Sequence, residues 1–543
     1  MNRVYSEAKP NNSNIQRVAA EYFGFLGSHL PYQCTSDEFY FLPRSEKAVE
    51  HLGTLDDLRP EKIQHLVRHV NSLIAALPTE GSSILEEEID RVTLKKSMER
   101  FIREFGSAAT WRQDPTLYIK VALFAVDQVL SQGTPAGEEP RQALTTVLRQ
   151  IPRFLAQGLD NLERPSVLSV AVAVEMAHDA FNFFRRDVER FIQEILAGDS
   201  RLLQENQKAL AGWDAYRKGL EGLKTVPSFS IGETAFTQMF AISVDSAKSP
   251  AEALEIAEDR FQTTLKTILM LADSIDPGTA WQDMARNAGY SAESSGDILE
   301  LYRQEVEALR AFFHARDLLT FPVEEKVQVL PTPVYLQSLR ATASYKAPLT
   351  GRPAGAGVFY VTPGSELSGL ILSHKPYLSA HETYPGHHVL DAIRLHHPNP
   401  VRRQIEAPLF YEGWACYAET LLDEFGYTMT PRQRLVQLQR QLWRDLRTVL
   451  DVKLQTGRIT IEEGAKEIEK VGFPSAVAAR QIRRFALTPG YQSCYFLGME
   501  EILRLRDRYA GRLGLKGFHD RLLEGGQLSF DLVEKRLEAA AAG

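Results

Sequence analysis

Apolar residues recur at intervals of three and four over most of this chain, as in LTTVLRQIPRFLAQGLDNL from Leu144 and EALEIAEDRFQTTLKTILMLADSI from Glu252. That spacing puts them on one face of an α-helix, so the fold class is expected to be mainly α. With 543 residues the chain exceeds the size at which one hydrophobic core stops growing, and two or three packed units are expected. Stretches rich in Gly and Pro interrupt the helical pattern at 131–140, 225–234 and 347–366. The second separates a helical N-terminal region, 1–230, from a region 231–543 that holds every chemical motif described below. The third contains GVFYVT, whose β-branched and aromatic residues between Gly and Pro predict a strand, hence a small β-sheet close to the helix of His381. That strand is a candidate for pairing edge-on with an extended peptide, with Gly351, Gly355 and Gly357 permitting close approach.

Composition narrows the partners. The chain is 44% hydrophobic and 24% charged with a formal net charge of −8, so it is globular and carries no basic footprint for nucleic acid or an anionic membrane surface. Cys34, Cys416 and Cys494 are far apart and without CxxC spacing, which argues against a disulfide framework and a thiolate zinc site. The polar start MNRVYSEAKPNNSN has no apolar stretch or small-residue cleavage site, and a cytoplasmic location is expected. The most apolar window, PSVLSVAVAVEMAHDAF from Pro165, is interrupted by Glu175, His178 and Asp179 and is expected to be a core helix rather than a membrane span. Oligomeric state is left open, a homo-oligomer included.

Six of the 13 histidines (His374, His381, His387, His388, His396 and His397) crowd into HETYPGHH and its flanks. Imidazole is a common zinc ligand, and hydrolytic zinc takes three protein ligands. In the helical HExxH signature the second histidine stands one turn after the first. Here Pro385 occupies that position, and His387 and His388 follow. On a continuous helix His388 returns to the face of His381, so rotational phase favours His388 as the second ligand. Pro385 and Gly386 can distort the turn enough to bring in His387 instead. The bland alternative is a helix-ending turn with solvated histidines. Glu382, adjacent to His381, is the candidate general base.

Downstream, YEGWACYAETLLDEFG places Glu412 and Glu419 on one face of an otherwise apolar helix. A carboxylate in such surroundings needs a cationic partner. Glu412 is the candidate third ligand and Glu419 the candidate partner of a ligating histidine, against the alternative of surface glutamates near a helix N-terminus.

HETYPGHH and YEGWACYAE, preceded by ATASYKAP and GVFYVTP, resemble the bacterial domain of unknown function 885 family, which is similar to the gluzincin metallopeptidases. The resemblance runs from about Ile231 to the C-terminus and implies a largely helical, zincin-like protein with a zinc centre at His381, at His387 or His388, and at Glu412, with Glu382 as base. The family's C-terminal pattern P-x-Q-A-x-x-Y-x-x-G is matched at Pro489, Tyr495 and Gly498, but Tyr491 and Gln492 stand where Gln and Ala are expected.

Tyr495 is the candidate oxyanion donor, with a packed core tyrosine as the alternative. Tyr360, Arg447 and Tyr491 are the candidates for substrate contact; the arginines at helical spacing around Arg447 otherwise form a solvated face. The expectation is a Zn2+-dependent hydrolase of the metallopeptidase type acting on a peptide or small amide. A hydrolase or lyase for amino-acid conjugates competes with it, as does, less strongly, a helical interaction protein with a relic site.

Overall fold

The computed structural model describes residues 14–542 apart from 80, 131–137, 289–296, 323, 334–335, 338–342, 351–355 and 363–367. The fold is mainly α, with one three-stranded sheet among the described residues.

The N-terminal helices gather Tyr22, Phe101, Tyr118, Trp213 and Tyr216 into one core. The apolar segment after Pro165 forms helix Val167–Phe183, capped by Ser166, whose hydroxyl accepts from the Ser169 N–H. It continues through a π turn, Phe184–Val188, into Glu189–Glu194. The run is therefore longer than the sequence suggested, and by length and composition alone it could cross a membrane. Its Val170, Ala173, Met176, Ala177 and Ala180 pack into the N-terminal core.

A second core surrounds the sheet and the histidine cluster. A third joins helix Pro250–Ile275 to helix Pro431–Gln455. In the latter, Leu435, Leu438, Leu442, Leu446, Leu450 and Leu454 repeat at three- and four-residue steps along the buried side. Its start is set by the sequence TPRQ: Thr430 and Gln433 form a reciprocal capping box and Pro431 sits in the first turn.

The cores interleave across residue 230. Ile89 joins the second, while Val401 and Ile405 join the first. Buried ion pairs bind the same seam: Arg402 Nε donates to Asp90 Oδ1 (2.5 Å) and Arg44 Nε to Glu406 Oε2 (2.9 Å). These contacts bring the N-terminal part onto the C-terminal part and build one wall of the cavity described below.

The strands are β1 (Val327–Pro331), β2 (Ala343–Lys346) and β3 (Gly357–Val361), in the order β1-β3-β2. β3 pairs parallel with β1, Phe359 opposite Val329, and antiparallel with β2, Phe359 opposite Tyr345. GVFYVT is thus the central strand, and the expected edge pairing with a peptide is corrected: both of its edges are already taken. Gly351 and Gly355 lie outside the described residues. Phe359 and Val361 share a core with Tyr377 and Ala380 of the helix bearing His381, so the sheet braces that helix.

Candidate metal centre

Helix Ser368–Glu382 carries His381 and Glu382 at its end, and a new helix, His387–Leu395, begins five residues later. Between them Pro385 has no N–H to continue the ladder. The Gly386 N–H instead reaches the Ala380 carbonyl (3.0 Å). A Cβ at Gly386 would lie 1.9 Å from the His381 carbonyl oxygen, so only glycine admits this fold-back. Trp414 Nε1 donates to the Pro385 carbonyl (2.8 Å) and ties the turn to helix Pro408–Glu424, which bears Glu412.

The turn resets helical phase and brings His387, not His388, beside His381. His381 Nε2 and His387 Nε2 lie 3.4 and 3.5 Å from the same oxygen, Glu412 Oε2. One ligand atom from each of the three residues lies within 4.8 Å of the others. All three side chains are buried. Among the described residues Glu412 Oε2 and His387 Nδ1 have no hydrogen-bond partner, and leaving a buried carboxylate oxygen unpaired is costly. Two imidazoles and one carboxylate converging on a point suit zinc, and a cation there would engage the orphaned oxygen.

The preference for His388 as ligand is corrected, because it assumed one uninterrupted helix. His388 Nε2 donates to Glu325 Oε2 (2.8 Å), and the Tyr345 hydroxyl donates to His388 Nδ1 (3.3 Å). Glu325 also accepts from Arg310 and from the Tyr384 hydroxyl. His388 therefore belongs to a buried network joining the turn to β2 and to the segment before β1.

Behind the cluster, His381 Nδ1 donates to Glu419 Oε1 (2.9 Å), leaving Nε2 turned toward Glu412. Glu419 also receives Arg440 and Arg444. Burial opposes its ionisation, but the two guanidinium groups and His381 hold its carboxyl well below the usual range. Burial likewise opposes charge on Glu412, but the nearby imidazoles of His381 and His387 outweigh it and hold its carboxyl well below the usual range. Burial alone would discharge His381; contacts with Cys416, Glu412 and Glu419 instead raise it well above the ordinary range.

Helix Ser493–Leu513 supplies the facing wall. It crosses the Glu412 helix backbone to backbone: a Cβ at Gly498 would lie 2.0 Å from the Leu409 carbonyl oxygen. At the start of this wall, Tyr491 donates its hydroxyl to Glu412 Oε1 (2.6 Å), and the Tyr495 ring lies parallel to His381 at 6.2 Å. Burial first, then the Glu412 charge, raises both phenols. Asp451 fixes the turn before Tyr491, accepting from the Gly490 N–H (2.9 Å) and the Ser493 hydroxyl (2.8 Å).

A cavity of about 250 Å³ opens onto this cluster. Glu382, Arg447, Tyr491 and Tyr495 line it; Tyr360 is buried in β3 and does not, so its expected substrate contact is corrected. Among the described residues Glu382 makes no hydrogen bond or ion pair. Sequence reasoning missed His374, Tyr411 and the N-terminal wall of Asp37, Glu38, Tyr40 and Lys120. The His374 ring, pushed down to about 3 by burial and Arg440, stays neutral. Tyr411 stacks on His387 at 3.9 Å, and its place beside Glu412 was the available signal. Tyr40 packs on Tyr491 at 5.0 Å, a contact with no local trace in the sequence.

The family described as "Bacterial protein of unknown function (DUF885)" matches residues 46–537. The chain belongs to this family. The DUF885 match reaches far into the N-terminal helices, beyond the resemblance seen from Ile231 onward. Among solved structures, a "putative lipoprotein of unknown function" from Shewanella oneidensis shares the fold with a TM-score of 0.77 and 19% identity, covering 96% of this chain and 99% of that one. A "putative lipoprotein" from Colwellia psychrerythraea does so with a TM-score of 0.79 and 18% identity, covering 98% and 99%. No curated protein matches in sequence. The cytoplasmic expectation is corrected: both of these neighbours are described as "putative lipoprotein", a description that does not go with a cytoplasmic protein. The polar opening segment on which that expectation rested lies outside the described residues.

Proposed function

We propose that this DUF885 protein is a zinc-dependent hydrolase of the metallopeptidase type, acting on short peptides or small amides. The observation that carries the reading is the buried His381–His387–Glu412 cluster at the floor of a cavity that also exposes Glu382. His381 and Glu382 end one helix, His387 opens the following one and Glu412 comes from helix Pro408–Glu424, a two-histidine, one-glutamate donor set that agrees with the gluzincin-like centre the resemblance implies. When bound, zinc supplies a Lewis acid that polarises a carbonyl and acidifies water.

The chain's own groups provide the rest. Glu382, buried yet facing the cavity and without a bonded partner among the described residues, accepts the proton of the attacking water and passes it to the departing amine. The Tyr495 phenol, kept protonated by burial and the Glu412 charge, donates to the carbonyl oxygen as negative charge develops there. Tyr491 holds Glu412 Oε1 and leaves Oε2 for the ion. Glu419 orients His381 through Nδ1. A cavity of about 250 Å³ suits a dipeptide or an N-acyl amino acid better than a folded protein.

The test uses zinc-loaded protein and a panel of short peptides and N-acyl amino acids, with Glu382→Gln as control. Turnover should fall by about 10²- to 10⁴-fold in the variant while zinc content stays unchanged. A panel left uncleaved at full zinc occupancy, or cleaved equally by Glu382→Gln, refutes the reading.

A further inference from the structure

Three arginines on helix Pro431–Gln455 line the cavity: Arg440, Arg444 and Arg447. The first two are committed to Glu419. Arg447, one turn further along, makes no ion pair among the described residues. Arg447 is half-buried, whereas the buried Arg44 and Arg394 both reach Glu406 and Arg402 reaches Asp90; buried Arg100 instead donates to the Tyr40 and Glu406 carbonyls. Asp451, the acid one turn beyond Arg447, is engaged by Gly490 and Ser493.

What holds Arg447 is neutral. Its Nε and Nη2 donate to Gln492 Oε1 at 3.0 and 2.8 Å, and its guanidinium lies 3.5 Å from the centre of the Tyr495 ring, with Phe485 and Trp443 at 5.5 and 5.8 Å. Nη1 carries no hydrogen bond among the described residues. The fork is therefore fixed in orientation, its charge felt at the Asp451 carboxyl but with no carboxylate bonded to it among the described residues, the arrangement that captures a planar anion at low entropic cost. Arg484 lines the same cavity, also without an ion pair among the described residues, and its charge is felt at the Tyr495 phenol. Among the described residues the acids lining the cavity are Asp37 and Glu38, on the N-terminal side with Lys120, and Glu382 and Glu412 at the cluster; none of them pairs with Arg447 or Arg484.

We propose that Arg447, supported by Arg484, binds a free carboxylate of the substrate, making this a site for short peptides or N-acyl amino acids that carry one. The proposal deepens the hydrolase reading and rests on it for the location of the substrate, but carboxylate binding is measurable without turnover. The Tyr495 ring has the Arg447 guanidinium over it at 3.5 Å and runs parallel to the His381 ring at 6.2 Å, so a carboxylate on Arg447 leaves the neighbouring amide of a small substrate near the cluster.

The experiment is calorimetric titration of zinc-loaded Glu382→Gln protein with N-acetyl dipeptides ending in Gly, Leu or Phe, each as free acid and as C-terminal amide. Acetyl-Gly-Glu-amide and acetyl-Gly-Gln-amide form a further pair, which separates a side-chain carboxylate from an α-carboxylate. Within one of these sets the acid should bind about tenfold or more tighter than its neutral counterpart. Adding Arg447→Gln should collapse that preference to about twofold or less with the neutral ligand's affinity unchanged, and Arg447→Lys should restore part of it. If Arg447→Gln does not fold, Arg484→Gln must reduce the preference by about threefold or more. Equal binding of acids and amides, no binding of either, or a preference surviving both substitutions overturns the proposal. Amide turnover by the wild type without acid preference removes this inference and keeps the hydrolase; acid-selective binding with no turnover of any amide does the reverse.

Discussion

Glu419 is the residue on which the centre's second layer turns, and its replacement is the most informative perturbation. Its side chain is 1% exposed and accepts from His381 Nδ1 while pairing with Arg440 and Arg444, which are 12% and 4% exposed. Glu419→Gln keeps the volume but removes the charge, leaving two arginines in a dry interior without their counter-ion. Breaking a buried pair from one side costs about 3–5 kcal/mol, and here two cations lose the same partner, so the upper part of that range is expected. A separate effect falls on the metal. With Nδ1 no longer facing a carboxylate, His381 loses its orienting contact, and zinc affinity should drop by about 10- to 100-fold. Chemical denaturation of the metal-free protein measures the first effect, and competition against a chromophoric chelator measures the second. A Glu419→Gln protein within about 1 kcal/mol of wild type and with unchanged zinc affinity would refute the role assigned to this carboxylate.

Other perturbations address the turn and the facing wall. Gly386→Ala puts a Cβ against the carbonyls of His381 and Ala380 (1.9 and 2.4 Å); the turn must open, with a loss of about 3 kcal/mol or more and zinc content falling well below one equivalent by elemental analysis. Asp451, whose carboxyl burial pushes up to about 7, is protonated more readily in the folded chain than in the unfolded one. Its contribution to stability is fully present below about pH 4 and is lost as pH rises through about 7. Urea midpoints at pH 5 and pH 8 should therefore differ more for wild type than for Asp451→Asn; equal differences would contradict the assignment. Glu325→Gln removes the charge facing His388 and Arg310 and should lower stability while leaving zinc stoichiometry near one, whereas zinc loss would tie this network to the metal.

Helix periodicity made the fold class legible, because the apolar stripes of segments such as Leu435–Leu454 survive any tertiary arrangement. The central strand was legible for the same local reason, GVFYV being rich in β-formers between breakers. β1 and β2 were not, since VQVLP, as long as GVFYV, has no aromatic residue and ASYK has only four residues; β3 between them holds both in the sheet. At the site, the residue types of HETYPGHH and YEGWACYAE pointed to His381, Glu382 and Glu412. The choice between His387 and His388 failed because rotational phase holds only while the hydrogen-bond ladder is unbroken, and Gly386 folds the chain back onto Ala380. Tyr360 was misplaced because alternation along a strand does not say which face meets a cavity. Asp37, Tyr40 and Lys120 reach the cavity through the Arg402–Asp90 and Arg44–Glu406 seam, a long-range contact that no local pattern encodes.

The central claim is that His381, His387 and Glu412 hold one zinc ion. Elemental analysis of protein purified without chelator, comparing wild type with His381→Ala, His387→Ala, His388→Ala and Glu412→Ala, tests it directly. About one equivalent is expected in wild type and in His388→Ala, and well under half an equivalent in the other three variants. Zinc retained at about one equivalent in His387→Ala and lost in His388→Ala, or retained in the His381 or Glu412 variant, would contradict the account.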